Sequence, residues 1–446
     1  MQKRGGTSYA GPAMTAATYA RAVVYADFPS GSQLVAVGNN GHVYTVTSGT
    51  TTDLGGTTIN GWADKPKLRV GGGKNLLIFT DAAAGIGPVK YDGSAAQTAL
   101  GGSPPAAIHS EIYKSRLVLG NTSANPNRLY FSPTPDIEST WDTTNSWIDC
   151  DHAITGIAAL RNALLIFSQG HIERIIGTTP PPGSDMDRSP LGDVGTPDAR
   201  SIVVQEGNCL FANPRGVYLT NGSGFASLTT EGQIESYWQS LFSSYDPSSW
   251  VISAGILRSF YFITIYDGTN YTTLMCNVPR RAWWRLSNVK AHMFAQAVGT
   301  QDELYYADGG TNRVTKLSGI FSPSSSNKND ADGTAVTPTA TLRTYGEGPG
   351  LKAFGDGHLT YDMRDAATDN PTLAVQIATG AEATTFSSVT ESPLAETSDA
   401  TRTRFSTGKD SQAITVKLTQ SNASSKTEIY AVELDQRPYP MGNEGQ

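Results

Sequence analysis

Charge is scarce in this chain. Of its 446 residues 16% are charged, against roughly 25% in an average globular domain. Cysteine occurs only at Cys150, Cys209 and Cys276, an odd number set far apart. No CxxC pair exists, so neither a disulfide framework nor a zinc site is signalled. Such cysteines read as small apolar core residues of a protein made in a reducing compartment. No apolar run approaches the roughly 18 residues of a membrane span. The basic start, Met1-Gln2-Lys3-Arg4-Gly5-Gly6, lacks the apolar stretch of a secretory signal. These absences point to a soluble protein made in a cytoplasm, without membrane insertion. Runs of strong helix formers are nearly missing too, which excludes a helical bundle or coiled coil. A positive excess is also lacking: 33 Lys+Arg against 40 Asp+Glu leaves −7. A protein that grips nucleic acid through its phosphates leans the other way.

Glycine is abundant, at 46, with Ser and Thr throughout and 9% aromatics. That mixture suits short strands joined by many turns, with enough bulk for a core. One unit recurs over the first three quarters: a strongly apolar strand, a turn, then an alternating strand. It opens at Leu34-Val35-Ala36-Val37, Leu76-Leu77-Ile78-Phe79, Arg116-Leu117-Val118-Leu119 and Leu164-Leu165-Ile166-Phe167. Further copies open at Cys209-Leu210-Phe211-Ala212, Phe260-Tyr261-Phe262-Ile263 and Leu304-Tyr305-Tyr306-Ala307. The spacing is in the forties, which is what a four-stranded propeller blade consumes. One small sheet cannot bury both faces, but sheets stacked radially can. Asn40-Gly41, Asp92-Gly93, Asn221-Gly222 and Asp267-Gly268 read as tight hairpins in which both residues tolerate positive φ. The sequence thus predicts an all-β chain with a six- to seven-bladed β-propeller over 1–320, a pair of β-sandwiches being the competing architecture.

Two segments depart from the repeat. Between Glu231 and Tyr245, Ile234, Tyr237, Trp238, Leu241, Phe242 and Tyr245 fall at helical spacing. Thr230 and Gln233 fit a capping box, and Asp246-Pro247 stops the helix. An aromatic face of this kind is expected to pack on its own domain. Residues 321–340 are polar and aperiodic, a linker or long loop. Beyond them Ala340–Tyr345, His358–Met363, Thr372–Ile377, Thr401–Phe405, Ala413–Leu418 and Glu428–Leu434 alternate as strands of a β-sandwich over 341–440. The tail Arg437-Pro438-Tyr439-Pro440 reads as extended.

The search for chemistry yields no catalytic, cofactor-binding or metal-binding residue and no cofactor. His42, His109, His152, His171, His292 and His358 are scattered and form no HExxH. Lys328 to Gly333 fails as a calcium loop, because Lys stands first and Thr339 twelfth. Asp185 and Asp187 lie in the proline-rich stretch Pro180 to Asp198 and read as solvated carboxylates. Gly222-Ser223-Gly224 is a hairpin turn, not a nucleophile elbow. Ser132 to Trp141 ends like an Asp-box but lacks its Asp and Gly spacing. One basic-aromatic cluster exists, Arg280-Arg281-Ala282-Trp283-Trp284-Arg285-Leu286. On a strand, Arg281, Trp283 and Arg285 share one face, Trp284 and Leu286 the other. Such a cluster could stack single-stranded nucleic acid; a blade strand with Arg stems over Trp is the expected form. Asn121 and Asn270 match glycosylation sequons, but carry no weight without a signal peptide.

The order of segments goes further. Arg128-Leu129-Tyr130-Phe131-Ser132 leads through Pro135-Asp136 and Trp141 to Trp147-Ile148-Asp149. Ile154-Thr155-Gly156-Ile157, Leu164-Leu165-Ile166-Phe167 and Ile172-Glu173-Arg174-Ile175-Ile176-Gly177 follow. After a proline-rich loop come Gly195, Ser201-Ile202-Val203, Gly216-Val217-Tyr218 and the helix at Ile234 to Trp238. This resembles the β-propeller structural proteins of tailed-bacteriophage virions, the nozzle and hub proteins of short tails and their relatives. The opening Arg4-Gly5-Gly6-Thr7-Ser8-Tyr9 resembles their usual start, which tends to carry Pro near Gly6; the close, Ala413 to Glu433 with Arg437-Pro438, resembles their terminal sandwich. The resemblance implies a non-enzymatic homo-oligomer, a hexameric ring in the tail or neck of a virion assembled in a bacterial cytoplasm. Its partners would be other tail, adaptor or portal proteins. Double-stranded DNA would pass through without specific binding, since each phosphate neutralised adds affinity and drag. The contact between copies is expected in the loop Thr178 to Arg200 and in the terminal sandwich. Two rival readings stay open, a propeller that binds a host-surface glycan and a propeller glycoside hydrolase with axial carboxylates.

Overall fold

The computed structural model describes residues 7–59, 65–70, 75–81, 86–297 and 303–317, and, further on, 339–341, 352–364, 372–379, 387–388, 401–411, 414–421 and 426–438. Two compact units are present: Tyr9–Lys316, and a second that holds the strands after Leu317.

The first unit is a seven-bladed β-propeller. Seven four-stranded antiparallel sheets follow one another along the chain, each built round one of the apolar strands that the repeat predicts. These are Gly31–Gly38, Leu76–Phe79, Arg116–Thr122, Leu164–Phe167, Asn208–Asn213, Phe260–Tyr266 and Leu304–Asp308. Each is the second strand of its blade and lies between two neighbouring strands. Leu76–Phe79 and Leu164–Phe167 are buried along their whole length. A strand covered on both faces has no polar side to show, hence the continuous apolar run.

The first strand of each blade is Ala20–Phe28, Lys67–Arg69, Ala107–Tyr113, Gly156–Ala159, Val203–Gln205, Val251–Leu257 or Ala291–Gln296. In six of the seven junctions these strands neighbour one another, so they form the ring nearest the axis. Blades converge there, and small residues fill the space: Ala20, Ala22, Ala26, Ala107, Ser110, Ala158, Ser253, Ala254 and Ala291 are all buried. Glycine is used where even a methyl would not fit. A Cβ on Gly255 would stand 2.4 Å from the Phe294 Cβ of the next blade.

The ring closes non-covalently. The fourth strand of blade seven is Ser8–Tyr9, taken from the opposite end of the chain. The Ala10 amide donates to the Val314 carbonyl at 2.9 Å, and the Met14 amide to that of Asn312 at 2.8 Å. Asn312 Nδ2 returns a bond to the Met14 carbonyl at 3.0 Å, and the Arg313 guanidinium covers the Tyr9 ring. The opening residues therefore serve as a structural strand of the propeller.

The turn dipeptides differ from expectation in detail. Only Gly41, Gly93, Gly222 and Gly268 take positive φ, not the Asn or Asp before them. The side chain explains this. Asp92 Oδ1 accepts the Ser94 amide, Asn221 Oδ1 the Ser223 amide, and Asp267 Oδ1 those of Thr269 and Asn270. An Asx turn needs ordinary backbone at its first residue.

The helical segment is also shorter than the periodicity suggests. Instead of one helix over 231–245 there are two, Leu228–Glu231 and Glu235–Leu241. Ser227, not Thr230, caps the first, accepting the Thr230 amide; Gly232 ends it and Gln233 turns at φ 56°. Of the aromatic face, Trp238 and Phe242 pack inward, whereas Tyr237 is 41% exposed. Trp238 is fully buried against Phe242 and Trp283, and its Nε1 donates to the Asn213 carbonyl at 3.0 Å.

The second unit is a β-sandwich of two antiparallel sheets. One has the order Thr339–Thr341, Ile414–Ser421, Thr372–Thr379, Ser387–Ser388; the other places Lys352–Arg364 between Thr401–Ser411 and Lys426–Pro438. Leu373, Val375 and Ile377 are buried and alternate with half-buried Ala374 and Gln376, as a one-sided strand requires. The strand ending at Pro438 accounts for the first half of the extended tail; Tyr439 and Pro440 lie outside the described residues.

Candidate functional site

Propellers place function at the axis or on the rim. At the axis the deciding residue is Lys65, just before the inner strand of blade two. Its Nζ donates to the carbonyls of Ile202 and Ala254, each at 2.8 Å. Ile202 leads into blade five and Ala254 lies in the inner strand of blade six. In a ring of seven these are the blades opposite blade two. The lysine therefore spans the axis, its half-buried ammonium held by carbonyl oxygens on the far side.

Other polar groups brace neighbouring blades. Lys67 pairs with Glu111 at 2.8 Å between blades two and three. Asp198 holds Arg200 in a two-pronged pair and accepts the Ile252 amide at 3.0 Å. Tyr261 donates to the Ser201 carbonyl, and Ser253 to that of Ala291. His292 meets the Tyr271 hydroxyl at 2.8 Å, with Tyr19 edge-on. Burial, aided by the nearby Arg200 and Arg21 cations, holds the His292 imidazole down to about 4. It is neutral at pH 7 and can accept from Tyr271, whose phenol burial pushes up. Asp308 is pushed up by burial, but its oxygens serve the Gly310 amide and the Thr315 hydroxyl in a turn.

A glycosidase needs two carboxyl groups facing one open space. Glu111 and Asp198 are instead each held by a cation. Among the described residues no group of three or more His, Cys, Asp or Glu is placed to hold a metal ion, and no helix is long and apolar enough to cross a membrane.

His42 pairs with Asp53 at 2.7 Å, and His109 is buried in the inner strand of blade three. His152 and His171, nineteen positions apart, are brought together, their rings stacked with centroids 4.3 Å apart. His171 also meets Asp193 at 3.0 Å. Nothing local in the sequence marks that pair, because His152 lies in the connection from blade three to blade four and His171 in a hairpin of blade four. Asp185 is not merely solvated: it accepts the Thr178 and Thr179 amides at 2.8 and 2.6 Å and closes the proline-rich loop. Those amides hold its carboxyl below the usual range. Asp187 is exposed at the start of the outer strand Asp187–Gly192. Trp141 donates through Nε1 to the Ile137 carbonyl. Asn121 is engaged with the Ile154 carbonyl. Lys328 to Gly333 lies outside the described residues.

The basic-aromatic cluster forms the outer strand Ala282–Leu286 of blade six. Arg281 falls in the turn before it, at φ 55°, and pairs with Glu231, so it leaves the predicted face. Trp283 packs under the helical segment and donates to the Leu228 carbonyl at 3.1 Å. Leu286 is buried, whereas Trp284 is 44% exposed beside Phe260. A concave space of about 300 Å³ lies between blades four and five, bordered by Asp193, Pro197, Asn213, Arg215 and Tyr245.

No family model matches the chain, and no curated protein matches it. Solved structures do. One is the computationally designed Ika8 protein, with 8% identity, a TM-score of 0.36, and 70% of this chain and 99% of that one covered. BBS1N, solved in complex with ARL6DN, shares 10% identity at a TM-score of 0.43, covering 70% and 96%. The AfRom2 CNH domain shares 11% at 0.40, covering 70% and 98%.

Proposed function

We propose that this chain is a non-enzymatic structural subunit of a tailed-phage virion, forming a ring in the tail or neck through which the genome passes. The observation that carries the reading is where the resembling segments fall. Arg128–Phe131 with Trp147–Asp149 completes blade three, and Gly156–Ala159, Leu164–Phe167 and Ile172–Ile176 form three strands of blade four. They follow one another along the chain and fall in neighbouring blades, with the proline-rich loop joining the third and outermost strands of blade four.

Lys65 bears on where a passage could run. It bridges the propeller's own axis, so the channel in this reading lies between copies. A net charge of −7 per chain, repeated round a ring, suits a wall that DNA slides along.

The test is the mass of the full-length chain by light scattering, with electron micrographs of the same sample. Rings of about six copies with an open centre are expected. A protein that stays monomeric at every concentration, and instead binds a glycan or turns over a sugar substrate, refutes the reading.

A further inference from the structure

The net charge of −7 is not spread over the propeller. From Asp136 to Asp198 there are ten carboxylates and three arginines, an excess of seven negative charges. From Leu257 to Gln296 there are five basic residues and one carboxylate, Asp267. The first stretch covers the outer parts of blade three and all of blade four; the second covers the outer three strands of blade six and the first strand of blade seven. Both charges reach the rim. Asp187 stands on the outermost strand of blade four, and Asp193 follows it with its side chain 92% exposed, whereas Asp149 on the outermost strand of blade three is paired with Arg128. Arg280 and Arg285 are exposed at and beside the outermost strand of blade six. Each charged flank also carries an apolar centre. Ile176, paired in register with Asp187, is 43% exposed, and Trp284, on the face of its strand opposite to that of Arg285, is 44% exposed.

Blades in a ring of seven stand about 51° apart. Blade four therefore points roughly 103° away from blade six, with the propeller seen down its axis. In a closed ring of six, each subunit meets its two neighbours along directions opened by about 120°.

We infer that the two flanks are the two halves of one heterologous contact between copies of this chain: the Trp284 edge of blade six, with Arg280 and Arg285, docks on the Ile176 flank of blade four, with Asp187 and Asp193, in the next copy. This rests on the ring reading above and names its interface. A Trp flanked by Arg is the composition that dominates binding energy at interfaces. Opposite charges at the rim fix register and speed encounter. Both outermost strands end their sheets, and Pro190 in Asp187–Gly192 keeps that edge from pairing indiscriminately with other strands.

Charge reversal in the full-length chain tests the contact. One variant carries Arg280→Glu with Arg285→Glu, the other Asp187→Lys with Asp193→Lys. Each alone places like charges opposite each other, and its mass by light scattering falls to that of one chain, 47.3 kDa. Mixed in equal amounts the two restore rings, because alternating copies again present opposite charges at every contact. That recovery also shows both variants to be folded. Wild-type rings that neither variant disturbs overturn the interface and leave the ring reading standing. Variants that stay monomeric after mixing overturn the interface as well. A wild type that never assembles overturns both. Retention of a labelled single-stranded oligonucleotide by wild type, lost with Arg280→Glu and Arg285→Glu, marks blade six as a nucleic-acid face and overturns the contact.

Discussion

Met14→Ala tests whether the N-terminal segment truly closes the propeller. Met14 is 1% exposed in a core that includes Ala20, Val37, Tyr44, Met293 and Val314, so it joins blades one and seven. The substitution removes three heavy atoms of the side chain. Lost transfer energy is about 2.4 kcal/mol at ~0.8 kcal/mol per buried methylene equivalent. A residual cavity of some 60 Å³ would add about 1.4 kcal/mol at ~24 cal/mol per Å³. Relaxation lowers the sum, so about 2–4 kcal/mol is expected. For a cooperative unit of roughly 300 residues that is about 3–6 °C in Tm. Calorimetry of the full-length chain reads the shift. Hydrogen exchange at the Ala10 and Met14 amides reads the local effect, since both bond across the closure. Met14→Leu conserves volume and should cost under about 1.5 kcal/mol. A fall in Tm below about 1 °C for Met14→Ala, with exchange at both amides unchanged, would show that the segment does not hold the ring shut.

Two further outcomes follow from buried titratable groups. His292 is held down to about 4 in the folded protein, against about 6.5 unfolded. Above pH 6.5 neither state binds the proton; between 6.5 and 4 only the unfolded chain does, so stability falls as pH falls through that window, by about 3 kcal/mol in all. Urea unfolding at pH 7.5 and 4.5 should show this loss in wild type and a smaller one in His292→Gln, and equal losses would refute it. Burial raises the thiols of Cys150, Cys209 and Cys276, so native protein at pH 8 should resist iodoacetamide and react only when unfolded; stoichiometric native labelling would contradict the packing.

The legible parts of the fold share one property, burial on both faces. Leu76–Phe79 and Leu164–Phe167 read as blade strands because nothing polar interrupts them. The inner strands left a fainter mark: crowding at the axis selects Ala, Ser and Gly, which carry little hydrophobic signal. Aromatic spacing marks a helical segment, but Gly232 and the φ 56° of Gln233 divide it where the pattern alone shows continuity.

What the amino-acid order determined by itself was periodic: an apolar strand every forty-odd residues, turn chemistry between strands, and alternation in the terminal sandwich. These signals are local, since each is written in residues that touch within one blade or one hairpin. Tertiary structure alone decided the pairings between distant residues. The closure of blade seven by Ser8–Tyr9, the reach of Lys65 to Ile202 and Ala254, and the stacking of His152 on His171 all depend on where the ring brings its ends and blades together. The charged flanks belong to both levels. Composition sets their signs, and the angle between blades decides which way each one faces.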